Sequence, residues 1–84
     1  MRTEVVLHWI QAMPFVPLRF TMNSGFTFEV RHPELIRLMR TSLIYFTPSD
    51  HEGVYDRAQM FGLVLIERIE PVGSASSSVD QNGA

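Results

Sequence analysis

The stretch Leu18-Arg19-Phe20-Thr21-Met22-Asn23-Ser24-Gly25-Phe26-Thr27-Phe28-Glu29-Val30 decides the fold. Leu18, Phe20 and Met22 alternate with Arg19, Thr21 and Asn23, the period of a half-buried strand. Phe26, Phe28 and Val30 alternate with Thr27, Glu29 and Arg31 on the next. A two-residue loop would set Met22 against Thr27 and mix the faces. A three-residue loop Asn23-Ser24-Gly25, with Gly25 in the left-handed bulge position, pairs Met22 with Phe26, Phe20 with Phe28 and Leu18 with Val30. It also sets Thr21 against Thr27 and Arg19 against Glu29, so every pair matches in character.

Before this hairpin, Thr3 is placed to cap a helix over 4–13, with Glu4 near its positive end. Val6, Trp9, Ile10 and Met13 follow the spacing of one buried face, with Val5 beside them. Pro14 ends the helix, because the residue before a proline is pushed out of helical space, and Pro17 keeps 15–17 extended. After the hairpin, His32-Pro33-Glu34-Leu35 breaks the strand, and 33–39 reads as a short turn or helical segment. A third strand, 42–47, carries Leu-Ile-Tyr-Phe, dense enough to be covered on both sides. Pro48 to Gly53 is a polar turn, 54–57 a fourth strand and 60–69 a fifth, closed by Pro71. Arg57-Ala58-Gln59 between them reads as a turn, a bulge or continuous strand. The fold class is therefore mainly β with an N-terminal helix (α+β): a small, strongly bent five-stranded antiparallel sheet, or an Sm/SH3-like barrel.

One boundary is visible. Residues 1–72 are expected to form a single small domain, and 73–84, small and polar with one isolated valine, a flexible tail. An 84-residue chain is too short for a doubly wound sheet or a barrel enzyme, while 45% hydrophobic residues suffice for a core. Seven basic against nine acidic side chains give a net charge of −2, which provides no general attraction for phosphate backbones. All seven basic residues are arginine, a choice that fits a GC-rich genome or forked donors at an interface. The absence of cysteine excludes disulfides, thiolate metal sites and a cysteine nucleophile, and fits a cytoplasmic protein. No stretch approaches the roughly 20 apolar residues of a membrane span. Starting at Met1 with Glu4 where a signal peptide would be positive, the chain reads as complete and unprocessed.

Two resemblances attach to these residues. Pro14-Phe15-Val16-Pro17, Asn23-Ser24-Gly25 and His32-Pro33-Glu34, in that order after an opening helix, resemble a group of short uncharacterised bacterial proteins over 4–71. That group implies no activity. The order of elements over 4–72 is similar to the Sm-like family, including Hfq-like small barrels, which assemble into rings through their last two strands. Tyr55-Asp56-Arg57-Ala58 falls near the place where the Hfq type carries a Tyr-Lys-His RNA-contact motif. Tyr55 matches, and Asp56 stands where that motif has lysine. This second resemblance implies a ring that binds RNA, with Tyr55 stacking a base and Arg57 near phosphate.

The chemistry-bearing residues form no catalytic constellation. His8, His32 and His51 are scattered; His51 between Asp50 and Glu52 reads as a solvated turn, and His32 as a cap on the turn that follows. Ser24, Ser42 and Ser49 have no adjacent base or elbow, and Glu67 with Glu70 reads as an edge or interface device. The methionines read as core fillers. No enzyme activity, cofactor or metal is expected. Arg31, Arg37 and Arg40 fall around the central segment, with Glu34 among them, and read as a solvated mixed-charge face or as a docking surface for an acidic partner or a nucleic-acid phosphate; Trp9 anchors the helix to the domain or the domain to a neighbour. A fifth strand with an unpaired edge would add to a neighbouring sheet, and the helix face of Val5 and Trp9 is a second contact. The resulting expectation is a non-catalytic protein-interaction module, an accessory or structural subunit of a larger complex or homo-oligomer. The alternative is the Sm-like RNA-binding ring.

Overall fold

A computed structural model describes residues 1–72; the expected tail lies outside the described residues. One helix, α1 (Thr3–Ile10), precedes six strands: β1 (Leu18–Met22), β2 (Thr27–Val30), β3 (Ile36–Leu38), β4 (Ser42–Pro48), β5 (Tyr55–Gly62) and β6 (Ile66–Pro71). They form two three-stranded antiparallel sheets. Sheet 1 has the order β2-β1-β6 and sheet 2 the order β3-β4-β5. The fold is mainly β and α+β as expected, but among the described residues there are six strands rather than five and the sheets do not close into a barrel.

The β1–β2 hairpin has the register its alternation dictates. Leu18 faces Val30, Arg19 Glu29, Phe20 Phe28 and Thr21 Thr27. The loop closes through the Met22 N–H on the Phe26 carbonyl (2.8 Å) and the Gly25 N–H on the Met22 carbonyl (2.9 Å). Gly25 has φ 95°, the left-handed conformation that the three-residue loop demands.

The expected fifth strand is two strands. A 3-10 turn at Leu63–Leu65 splits the apolar run: its first part pairs with β4 and its second with β1. The turn is the corner between the sheets. Its backbone is satisfied from both sides, by the Leu63 N–H on the Thr41 carbonyl (2.9 Å) and the Asn23 N–H on the Leu65 carbonyl (2.8 Å). The expected fourth strand is the start of β5, which runs without a break through Arg57-Ala58-Gln59, opposite Thr47, Phe46 and Tyr45 of β4. The segment after Pro33 is a single 3-10 turn, Pro33–Leu35, whose exit residues form β3 against β4.

The helix is shorter than its apolar spacing predicts. Gln11 leaves helical space at ψ 2°, and its N–H closes the last turn on the Leu7 carbonyl (2.9 Å), so Met13 is exposed. Arg2, not Thr3, holds the cap position, with no side-chain capping bond. The Thr3 hydroxyl instead donates to the Arg40 carbonyl (3.0 Å), and the Met1 amine donates to the Leu63 carbonyl (2.8 Å). These two bonds tie the start of α1 to the turns beside β3 and β5.

The core lies between the sheets, with Val6 of α1, Leu18, Phe20, Val30 and Leu43 almost fully buried. Phe28 joins the two layers. Its ring stacks on Phe20 of its own sheet (5.0 Å between centroids) and on Tyr45 (4.8 Å) and Phe61 (4.7 Å) of the other. The Tyr45 hydroxyl then donates to the Glu29 carbonyl across the same gap (3.1 Å). A stacked pair is worth about 0.5–1.5 kcal/mol beyond its buried area, so this aromatic bridge is a main link between layers.

Candidate functional site

Strand alternation assigns each side chain of sheet 2 to a face. Leu43 is buried and Tyr45 stacks on Phe28, so these look inward, together with Phe61 opposite Leu43 and Ile36 opposite Tyr45. The intervening residues look outward. One row is Arg37, Ile44 and Met60; the next is Phe46 and Ala58, with the ring of Tyr55 5.0 Å from that of Phe46. Leu43–Phe46 is thus partly covered on both sides, since Tyr45 and Phe46 both pack against the core and Ile44 is half-buried. Phe46 is itself half-buried, and Met60 is 64% exposed. The outward face of sheet 2 is apolar, with Arg37 at its margin.

The outward face of sheet 1 is its opposite. Glu29 on β2 accepts from Arg19 (3.0 Å) and Arg31 (2.9 Å); Glu70 on β6 lies 4.0 Å from Arg19 and 3.7 Å from Arg68. The result is an alternating chain of charge, Arg31-Glu29-Arg19-Glu70-Arg68, laid across three strands. Hydrogen bonding by Arg19 outweighs the opposing desolvation and, with the charge of Arg31, holds the Glu29 carboxyl below its ordinary value. Thr21, also facing outward, is buried between Thr27 and Arg68, and its hydroxyl has no hydrogen-bond partner among the described residues.

The candidate residues from the sequence are dispersed over these surfaces. Trp9 is half-buried and packs on the core, with His8 edge-on at 6.4 Å. Arg31 is engaged by Glu29 on sheet 1, while Arg37 is exposed on sheet 2, its guanidinium donating to the Ile36 carbonyl (3.2 Å). Arg40 lies in the β3–β4 turn and shares a cleft of about 290 Å³ with Arg2 and Met1. Each arginine thus has a different immediate setting. Tyr55 and Arg57 are both exposed on β5, but a register shift beside Pro48 turns them to different faces: Tyr55 joins Phe46, while Arg57 stands opposite Thr47. His51 lies in the tip turn of the β4–β5 hairpin, where the Ser49 hydroxyl accepts its N–H (3.1 Å) and donates to the Val54 carbonyl (2.7 Å).

The residues of this face that sequence reasoning missed are Ile44, Phe46, Ala58 and Met60. Met60 reads as core filler in the sequence. The alternation of 42–48 against 55–62 assigns it outward only once the run 60–69 is divided at Leu63. An open apolar groove of about 400 Å³ occupies the corner, lined by Met22, Asn23, Ser24, Phe26, Phe61 and Leu65. Of the expected fifth strand, read as able to add to a neighbouring sheet if its edge is unpaired, the part that forms β6 hydrogen-bonds β1 along one side and ends sheet 1 on the other.

Among the described residues no helix is long and apolar enough to cross a membrane, and no group of three or more His, Asp or Glu side chains is arranged to hold a metal ion. No protein-family model, curated protein or solved structure matches the chain.

Proposed function

We propose that the chain is a non-catalytic protein-interaction module, an accessory subunit of a larger protein assembly, and that it docks through the outward face of sheet 2. The observation that carries this reading is the row of exposed Met60, Ala58 and Tyr55 over half-buried Ile44 and Phe46 on one strand pair. Apolar side chains on the solvent side of an antiparallel sheet are a cost to a protein that stays alone, because that face ordinarily carries polar residues. Arg37 at the margin supplies a forked donor at the rim, the arrangement common at protein interfaces.

The test is the composition of the native complex purified from the protein's own cells. Defined partners that disappear with Met60→Glu and persist with Arg68→Gln on the other sheet support the module. An unchanged complex in Met60→Glu moves the contact elsewhere. Binding of uridine- or adenosine-rich RNA at low salt, lost in Tyr55→Ala, replaces the module with the Sm-like ring.

A further inference from the structure

We infer that the occupant of this face is a second copy of the chain, packed face to face about a two-fold axis with the strands of the two copies reversed. The inference rests on the docking face proposed above and names its partner. Three observations lead to it.

The first is the distribution of charge along sheet 2. Its base, where β3 turns into β4, carries exposed Arg37 and Arg40. Its tip, where β4 turns into β5, carries exposed Asp50 and Glu52, with Asp56 just beyond the turn and Arg57 next to it. The apolar rows of Ile44, Met60, Phe46 and Ala58 lie between. A two-fold axis that reverses strand direction sets the basic base of each copy against the acidic tip of the other, and both contacts are made at once. A parallel arrangement would put arginine on arginine and carboxylate on carboxylate.

The second is the guarded edge. Side-by-side joining of two copies through β5 would have to pass the register shift beside Pro48 and the charged pair Asp56-Arg57. Bulges and charges on an edge strand oppose that kind of pairing. The face has no such guard.

The third is size. The seven residues of β4 extend roughly 23 Å at the usual rise, and three strands at their usual spacing are narrower than that. Such a footprint, about 300 Å² in outline, is less than half of the roughly 800 Å² that each partner of a standard interface buries. The dimer is therefore weak and reversible, and charge at the two ends sets its direction.

Sedimentation equilibrium of the full chain tests this directly. The wild type should show a concentration-dependent monomer–dimer equilibrium. Met60→Glu should be monomeric with an unchanged circular dichroism spectrum, since the side chain is exposed. Arg37→Glu with Arg40→Glu, and separately Asp50→Arg with Glu52→Arg, should each weaken the dimer by about ten-fold. A one-to-one mixture of those two variants should restore it, because each reversed base then meets a reversed tip.

A dimer indifferent to both Met60→Glu and the charge reversals overturns the inference. So does a wild type that remains monomeric at every concentration. If that monomer still holds defined native partners that Met60→Glu releases, the occupant is another protein and the docking face stands. If it holds none, the face and its occupant both fall.

Discussion

The two sheets of this domain are built alike on the inside and oppositely on the outside. Each has three antiparallel strands, and each turns large apolar residues toward the shared core, Phe20 and Phe28 from one and Leu43 and Phe61 from the other. On sheet 1 the outward positions form a run of ion pairs from Arg31 to Arg68 in which every charge has an opposite neighbour. On sheet 2 the equivalent positions are Ile44, Phe46, Ala58 and Met60. Inward residues in a small sandwich answer to packing, so they must be similar. Outward residues answer to what lies beyond. The difference between the two outer faces is therefore the part of the structure that speaks to function.

The sharpest way to separate inside from outside is a pair of truncations. Phe28→Ala removes the ring that stacks on Phe20 in its own sheet and on Tyr45 and Phe61 across the gap, and should cost about 3–5 kcal/mol, a large share of the roughly 5–15 kcal/mol total of a typical domain. Met60→Ala, on the outer face, should change the unfolding free energy of the monomer by no more than about 0.5 kcal/mol. Urea titration at a concentration that keeps the chain monomeric measures both. Similar losses for the two would mean that Met60 is part of the core and that sheet 2 has no free face.

Thr21 tests how complete the polar outer face of sheet 1 is. Its hydroxyl is buried with no hydrogen-bond partner among the described residues, and an unsatisfied group of this kind costs about 1–3 kcal/mol. Valine has nearly the same shape and suits a strand. Thr21→Val should therefore stabilise the domain by about 1 kcal/mol, which corresponds to a rise in melting temperature of roughly 4–8 °C for a chain of this size. A loss of stability would show that the hydroxyl is bonded in solution, to water or to a moved neighbour.

The turns make a finer comparison. Gly25 and Gly53 both hold positive φ, at 95° and 82°, and a Cβ at either would meet nothing within 4 Å. Alanine thus introduces only backbone strain, of about 1 kcal/mol. Gly25 closes the hairpin whose strands fill the core, so Gly25→Ala should show that cost in global unfolding. Gly53 lies at the tip of a hairpin whose first four β5 residues, Tyr55 to Ala58, are exposed. That tip can open by itself, so Gly53→Ala should instead speed amide exchange there while moving global stability less. Equal global effects would mean that the tip unfolds only with the rest.

What the sequence discloses follows the same division. The register of β1 on β2 is legible because its partners are local and differ in character from pair to pair, so one loop length alone keeps Phe20 on Phe28 and Arg19 on Glu29. The division of 60–69 is not legible, because Leu63-Val64-Leu65-Ile66 is apolar throughout and has no period to show where a corner falls. That ambiguity hides the outer face of sheet 2, since Met60 can be assigned a side only after the strand is cut. The pairing of Arg19 with Glu70 is hidden for another reason: it depends on β1 meeting a strand some 50 residues away, which local pattern cannot determine. Tyr55 and Arg57, two apart, read as neighbours on one face. The shift in register beside Pro48 separates them, and bulges of that kind leave little trace in composition.

The smallest effect concerns acid. Glu29 is held below its ordinary carboxylate value mainly by the hydrogen bond from Arg19, with the charge of Arg31 adding to it. A carboxyl lowered on folding is ionised more readily in the folded state than in the unfolded chain. Its contribution to stability is therefore fully present above the unfolded value and is lost as pH falls through the lowered folded one. The domain should lose a little stability on the acid side of the carboxylate range, and Glu29→Gln should flatten that slope while leaving the neutral-to-basic slope alone. The side chain is partly exposed, so salt screens the pair, and the difference between wild type and variant should shrink as ionic strength rises. Met60→Gln on sheet 2 adds no titrating group and should leave the slope as it is. A wild-type slope that survives in Glu29→Gln would mean that the Glu29 pair is not the source of the acid sensitivity.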